Sequence, residues 1–452
     1  MRINKNIFRM YDVRGKAAHD LTPDVVIALG KAIGSKLITL HEKAIVVGRD
    51  VRLSSFRLRN NLIEGLLSTG IDVLDIGEVP TPVMYYMVYE NDIPNGVEIT
   101  GSHNPKDYNG FKIVFQRGSV YGDGIQEILK IIEHAKFEKG KGKLKRVNVI
   151  EQYIDFIKSK IGTLEGFNVA VDPGNGAACV LLKPLFKKVH LNATFINIEP
   201  DGNFPAHLPD PTVPEYMKDL SNMVKNGDFD VGIGYDGDAD RVGVVDENGR
   251  LLFGDRIFGI IAGEFLKDNQ GERIIIDVKS SKGLIEYIER LGGKPYMYRT
   301  GHSLIKAKMK EIGIKMAGEM SGHIFIGDEL KGYDDAVYSS LRILRRMKRE
   351  GKKLSSLADE IPAYISTPEI RIPCADDIKF DVVKSISEKF KGYGEMINID
   401  GVRVNFPHGW GLLRASNTQP VLVLRFEAET EKALEDIKAL FDRFLKEVER
   451  CK

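Results

Sequence analysis

Residues 44–80 read AIVVGRDVRLSSFRLRNNLIEGLLSTGIDVLDIGEVP. The segment opens on a β-branched run, Ala44 to Val47, and closes near a second, Ile71 to Ile76. Between them Ser54 to Ser68 reads as a helix with Ser54 or Ser55 as its N-cap. A third strand-like run follows at Val97 to Thr100. Strands separated by helices form βαβ units, and such units build a mainly parallel sheet.

The same alternation recurs along the chain. After the Lys/Gly-rich stretch Lys139 to Lys145, read as a linker, a new sheet pattern begins at Phe167 to Val171. Gly174-Asn175-Gly176 opens a helix, and two strands, Asp230 to Tyr235 and Val242 to Val245, flank an acidic loop. Asn248-Gly249 is a hairpin turn. A third unit starts near Gly254, with strands at Arg273 to Asp277 and Lys294 to Tyr298 and helices from Ser281 and Ser303. A basic helix, Asp334 to Lys352, closes it, and its charge run reads as a solvated face. From Pro368 the order changes to a helix (Asp377 to Lys391), strands around Asp400-Gly401 and at Val421 to Glu427, and a last helix. The fold expected is α/β: three similar mixed-sheet α/β domains (1–148, 149–253 and 254–367) and a C-terminal α+β domain (368–452). A length of 452 residues suits three or four cores.

Composition narrows the function. Lys+Arg (65) and Asp+Glu (64) nearly cancel, so the chain lacks the basic excess of a nucleic-acid binder. No run approaches the ~18 apolar residues of a membrane span, and the N-terminus has no apolar signal region. The three cysteines are far apart and have no metal-ligand spacing, which reads as reduced thiols in a cytoplasmic protein. No nucleic-acid or membrane partner is expected, and the balanced charge suits a monomer or weak homodimer.

Four loops carry chemistry. In the first, Thr100-Gly101-Ser102-His103-Asn104-Pro105, a hydroxyl follows a strand end beside an imidazole, with Lys112 downstream. A serine needs a base, a metal or a polarising field to act as nucleophile, and His103 and Lys112 are candidate helpers. The same residues also make an ordinary polar turn. The second loop, Asp236-Gly237-Asp238-Ala239-Asp240-Arg241, offers three carboxylates at alternate positions, suited to a hard cation such as Mg²⁺. It resembles the start of a calcium-binding EF-hand, with Glu247 at the twelfth position. However, Arg241 stands where that loop needs glycine.

The third loop is Gly318-Glu319-Met320-Ser321-Gly322-His323, in which Glu319 and Ser321 can bind vicinal sugar hydroxyls. Upstream, His302 in Arg299-Thr300-Gly301-His302-Ser303 is either an acid/base residue or a structural neighbour of a helix start. The fourth, Arg414-Ala415-Ser416-Asn417-Thr418-Gln419-Pro420, concentrates donors as a phosphate dianion requires, or is a turn between strands.

Together these loops resemble the α-D-phosphohexomutases, one signature per expected domain and in the family's order. Phe8-Arg9-Met10-Tyr11-Asp12-Val13-Arg14-Gly15 resembles the family's opening segment. The resemblance implies four domains around a central cleft and an isomerase of carbohydrate metabolism that carries phosphate on Ser102. It implies Mg²⁺ held by Asp236, Asp238, Asp240 and phospho-Ser102. Glu319 and Ser321 are then the sugar grip, and Arg414, Ser416, Asn417 and Thr418 the clamp on the non-reacting phosphate. Tyr11, Arg14, His103, Lys112, Arg241, Lys279, His302 and His323 fall at positions lining the cleft.

The implied reaction is phosphoryl transfer between the 1- and 6-hydroxyls of a hexose phosphate through hexose 1,6-bisphosphate, which serves as intermediate and activator. Lys112 and His302 are the candidate bases. Met320 and Asn417-Thr418 resemble the dual phosphomannomutase/phosphoglucomutase branch. Phosphoglucosamine mutases usually carry Gly-Thr in the last loop. A metal-dependent sugar phosphatase is the more distant alternative. Ala239 departs from the glycine often found there, and its small side chain is expected to leave coordination undisturbed.

Overall fold

The structure is a computed structural model and describes residues 3–417 and 419–450, with side chains to residue 447. The helix of the opening segment runs from Ser55 to Leu67, with Ser54 as N-cap, and lies between the parallel strands Ala44–Arg49 and Asp72–Glu78. Gly96–Ile99 joins the other edge of Ala44–Arg49 in parallel, then Tyr108–Phe115 and Val13–Lys16 add antiparallel pairs. The result is a mixed sheet, as the βαβ pattern followed by a hairpin requires.

The Lys/Gly-rich stretch read as a linker is not free. Its strand Leu144–Arg146 pairs with Asp72–Glu78, and the amides of Gly140 and Gly142 donate to Ser68 O and Leu67 O. Glycine lets this segment lie against backbone: a Cβ on Gly142 would fall 2.0 Å from Ile71 O. Loss of the side chain, which the sequence suggested as flexibility, here serves close approach.

The second sheet runs Leu251–Leu252, Val242–Asp246, Val231–Tyr235, Asn168–Asp172, Asn192–Phe195. The third runs Lys294–Tyr298, Arg273–Asp277, Met316–Gly318, Ile324–Ile326, Tyr333–Asp334. Both have a parallel half and an antiparallel half. The fourth is antiparallel throughout, built on Val402–Phe406, Gly409–Ala415 and Val421–Ala428 and packed with the helices Lys379–Lys389 and Glu431–Arg450. Three mixed α/β units and one α+β unit are therefore present.

Their cores are unequal. One continuous apolar cluster links Val83 and Met84 of the first unit, Leu181 and Val231 of the second, and Ile260 and Leu344 of the third. The fourth unit has a separate core around Phe390, Leu424 and Phe441. It meets the third through a small seam, where Trp410 and Leu412 contact Val278. Among the described residues no helix is long and apolar enough to cross a membrane.

The basic helix departs from expectation. It spans Ala336–Glu350, and Asp335 caps it by accepting from the Tyr338 amide. Its arginines do not all face water: Arg342 is 2% exposed. Arg342 Nε donates to Glu264 Oε2 at 2.7 Å and its Nη1 to both oxygens of Asp328 at 2.8 Å. Arg345 Nε donates to Glu264 Oε1 at 2.7 Å. The partners lie on another helix and a loop, so a single-helix reading of charge could not reveal them. Glu264→Gln removes the carboxylate that two guanidinium groups share, leaving Arg342 with Asp328 and Arg345 with Glu329, and should cost about 1.5–3 kcal/mol, the range for hydrogen bonds to charged groups. Thermal and urea unfolding should register that loss with turnover per folded molecule unchanged, whereas an unchanged midpoint contradicts the pairing.

Candidate active site

The strand Gly96–Ile99 ends at a turn that reverses sharply into Tyr108–Phe115. Ser102 takes up the turn with φ +49°, a left-handed conformation uncommon for a residue with a Cβ. Its Oγ donates to Asp236 Oδ2 at 2.7 Å and lies 3.1 Å from His103 Nδ1. Gly237 makes the approach feasible, because a Cβ there would stand 2.4 Å from Ser102 O. The first and second loops, 134 residues apart, are thus one site.

Asp236, Asp238 and Asp240 are all 0% exposed, with oxygens within 4.8 Å of one another. The amides of Asp240 and Arg241 donate to Asp236 Oδ1 at 3.0 and 3.1 Å, winding the loop around that carboxylate. Thr81 Oγ1 donates to Asp238 Oδ2 at 2.5 Å. Lys112 Nζ pairs with Asp238 Oδ2 at 2.5 Å and also with Asp240 Oδ2. Asp238 Oδ1 and Asp240 Oδ1 are buried without a hydrogen-bond donor among the described residues.

Burial, and then Asp240 and Asp238, push the Asp236 carboxyl well above its ordinary range. Burial opposes charge at Asp240 too, but His323 and Lys112 hold it down at about 2. Burial also opposes the Lys112 charge, yet Asp238 and Asp240 outweigh it and raise its pKa. Three buried carboxylates facing one ammonium are under-compensated. All-oxygen donors with two free lone-pair positions fit a hard divalent cation. Ala239 between them has φ +57°, so glycine's frequency at that position reflects backbone conformation, which side-chain size alone did not reveal. Glu247, the EF-hand-like candidate, instead accepts from the Ser355 amide at 3.1 Å, which removes that alternative.

The third loop meets the second through Arg241, whose Nε donates to His323 Nε2 at 2.9 Å. His323 Nδ1 lies 2.9 Å from Asp334 Oδ2, and Lys306 Nζ lies 2.7 Å from Asp334 Oδ1. The ring of His302 stacks on His323 with centroids 5.5 Å apart. Burial, then Lys306, keeps His302 well below its ordinary pKa, so the ring is neutral. His103 is lowered likewise, by burial and then Arg241. Glu319 is buried, and its Oε1 accepts from the Gly301 amide at 2.7 Å. Ser321 is half-buried on the same loop.

Tyr11 connects three units. Its hydroxyl donates to Thr300 O at 2.8 Å and accepts from Asn417 Nδ2 at 2.8 Å. Burial pushes it up to about 12, so it remains a phenol. Arg14 Nη1 donates to Asn104 Oδ1 at 2.8 Å beside the serine turn. Lys279 is buried, with Nζ 2.8 Å from Glu369 Oε1 across the seam to the fourth unit. Arg414 Nε donates to Asp400 Oδ2 at 3.0 Å, and the same oxygen accepts from the Thr300 amide at 3.1 Å. Ser416 lies next along the loop, its Oγ accepting from the Gln419 amide at 3.1 Å, while Thr418 lies outside the described residues.

One connected site runs by hydrogen bonds and ring contacts from Ser102 through Asp236, Arg241, His323 and His302 to Tyr11 and Asn417. Thr81, Lys306, Asp334 and Asp400 belong to it but were missed. Asp400 was legible only as half of an Asp-Gly turn, and Asp334 only as an acid before a helix. Nothing local marks Thr81 or Lys306.

Four family profiles match the chain in order. They are Phosphoglucomutase/phosphomannomutase alpha/beta/alpha domain I (residues 5–139), domain II (151–249) and domain III (253–364), and the C-terminal domain (369–444). A phosphomannomutase/phosphoglucomutase of Pseudomonas aeruginosa is 43% identical over 98% of this chain and 96% of its own. A phosphoglucomutase of Neisseria gonorrhoeae is 40% identical over 97% and 96%. A solved phosphoglucomutase/phosphomannomutase family protein of Burkholderia thailandensis superposes with a TM-score of 0.94, at 40% identity, over 99% of this chain and 98% of that one. The chain belongs to the phosphoglucomutase/phosphomannomutase family, whose members are isomerases.

Proposed function

We propose that this chain transfers a phosphoryl group reversibly between the 1- and 6-hydroxyls of a hexose phosphate, with Ser102 as carrier. The observation that carries the reading is Ser102 Oγ held 2.7 Å from Asp236 at the edge of a buried carboxylate triad. The sugar and anion loops on the same cleft support it. In this reading the units 1–148, 149–253, 254–367 and 368–452 bring the carrier, metal, sugar and phosphate loops respectively.

Phospho-Ser102 gives its phosphoryl group to the free hydroxyl of a hexose 1-phosphate. The P–Oγ bond breaks as the new O6–P bond forms, and a base takes the hydroxyl proton. The resulting hexose 1,6-bisphosphate reverses its direction in the cleft. Ser102 Oγ then takes the phosphoryl group from O1, and the freed oxygen regains a proton. Asp236, Asp238, Asp240 and a phosphoserine oxygen would hold Mg²⁺, which neutralises charge on the transferring group. Arg241 and Lys112 add positive charge at the same place. Lys112 keeps its proton between two carboxylates, so of the two candidates only His302, whose ring is neutral, has a lone pair to accept the proton, and the burial that lowers its pKa makes it a weak base.

Both directions of the bisphosphate must bind. Glu319 can accept from a pair of sugar hydroxyls kept by the reversal, with Ser321, His323, Lys279 and Arg14 around it. Arg414, Ser416, Asn417 and Thr418 take the phosphate that is not reacting. Met320 and the Asn417-Thr418 pair, with the named relatives, favour mannose and glucose phosphates over glucosamine phosphate. Free thiols at Cys179 and Cys374 accord with a cytoplasmic enzyme.

Ser102→Ala should lower turnover of glucose 1-phosphate by at least ~10³-fold while substrate still binds; turnover near wild type defeats the carrier assignment. Arg414→Ala should raise KM ~10–100-fold with kcat little changed, the pattern of lost ground-state binding, and an unchanged KM moves the phosphate elsewhere. Chelation should remove activity and Mg²⁺ restore it, with isomer formed in large excess over free phosphate. Dominant phosphate release would make the protein a phosphatase.

A further inference from the structure

We propose that Arg52 is a positioning residue for the reaction: its guanidinium templates the Ser102 turn and so aims Oγ at the carboxylate triad. The inference rests on the reading of Ser102 as carrier.

The Arg52 side chain is 0% exposed, and one planar group serves four backbone carbonyls of that turn. Nη2 donates to Ser102 O at 2.7 Å and Asn104 O at 2.6 Å. Nη1 donates to Pro105 O at 2.6 Å and Tyr108 O at 3.0 Å. Nε lies 3.2 Å from Asp50 Oδ2. Asp50 in turn accepts from the amides of Gly101 at 3.2 Å and Arg52 at 3.0 Å. The pair thus satisfies donors and acceptors of the turn together.

Ser102 needs such support. Its φ of +49° is a conformation that persists only where the surroundings over-determine it. Its peptide is gripped on both sides, the amide donating to Thr100 Oγ1 at 2.8 Å and the carbonyl accepting from Arg52. The turn also packs tightly on the guanidinium, since a Cβ on Gly101 would lie 2.6 Å from Arg52 Nε. From the second unit, the Phe204 ring covers Arg52 at 5.0 Å, and a Cβ on Gly202 would meet Arg52 Cα at 2.7 Å. The unit that supplies the carboxylates therefore also closes over the group that aims the serine. A lysine could not replace this fork: its point charge has three donors and no fixed plane.

The test compares purified Arg52→Lys and Arg52→Met with wild type, using kcat and KM for glucose 1-phosphate and amide hydrogen exchange. A misplacement of the reacting atom should lower kcat ~10²-fold in Arg52→Met with KM within ~3-fold. Arg52→Lys should recover part of it, remaining ~10-fold below wild type. Faster exchange should be confined to residues 101–108. If Arg52→Met does not fold, Arg52→Lys decides. A folded Arg52→Lys with wild-type kcat overturns the inference. So does an equal kcat loss in both variants with exchange raised across the whole first sheet, the mark of a general folding role. Phosphopeptide analysis of wild type separates the two readings. Phosphate absent from Ser102 removes the carrier itself, whereas phosphate present with normal Arg52→Lys turnover removes only the role of Arg52.

Discussion

Three carboxylates enclosed at 0% exposure repel one another, and Ser102 hydrogen-bonds to one of them. In the interior such charge is tolerated only when the surroundings answer it. Much of the nearby architecture does so. The Asp238 carbonyl accepts from the Thr81 amide and the Ala239 carbonyl from the Ala336 amide, so helices of the first and third units both begin against the Asp236–Asp240 loop. Lys112 crosses from the first sheet to neutralise two of the acids. The compensation remains incomplete, and that deficit is what a divalent cation would meet.

This constraint explains the unequal cores. In the proposed reaction the Ser102 turn and the Asp236–Asp240 loop must keep their geometry to a fraction of an ångström, and their units share one apolar cluster with the third. The fourth unit adds polar contacts to its small apolar seam at Val278: Lys279 with Glu369, Tyr11 with Asn417, and Arg403 Nη1 donating to Val278 O and Ser280 O. Polar contacts exchange with water at lower cost than an apolar interface. In the proposed reaction, a bisphosphate that reverses itself needs a phosphate loop able to loosen while the Ser102 end stays rigid.

Much of this was legible in the sequence because it is local. Alternating strands and helices marked three α/β units, and the short motifs named residues that the structure connects from Ser102 to Asn417. What escaped was what depends on distance. The charge run of Ala336–Glu350 looked solvated because Glu264 and Asp328 lie elsewhere in the chain. Asp400, Asp334 and Arg52 act by bonding groups from about ten to a hundred residues away. Ala239 looked neutral by size, while its cost lies in a backbone angle that no side-chain comparison contains. Lys139–Lys145 looked like a tether because glycine signals both flexibility and close approach.

In the proposed reaction Ser102 is a shuttle, returned to its phosphorylated state at the end of each cycle. Intact mass of the protein after turnover with glucose 1-phosphate and hexose 1,6-bisphosphate, followed by peptide mapping, tests this directly. The expected result is one added phosphoryl group of about 80 Da, localised to Ser102 and labile to chase with substrate. An unmodified Ser102 in an enzyme that is nonetheless turning over, or a phosphate there that never exchanges, would contradict it.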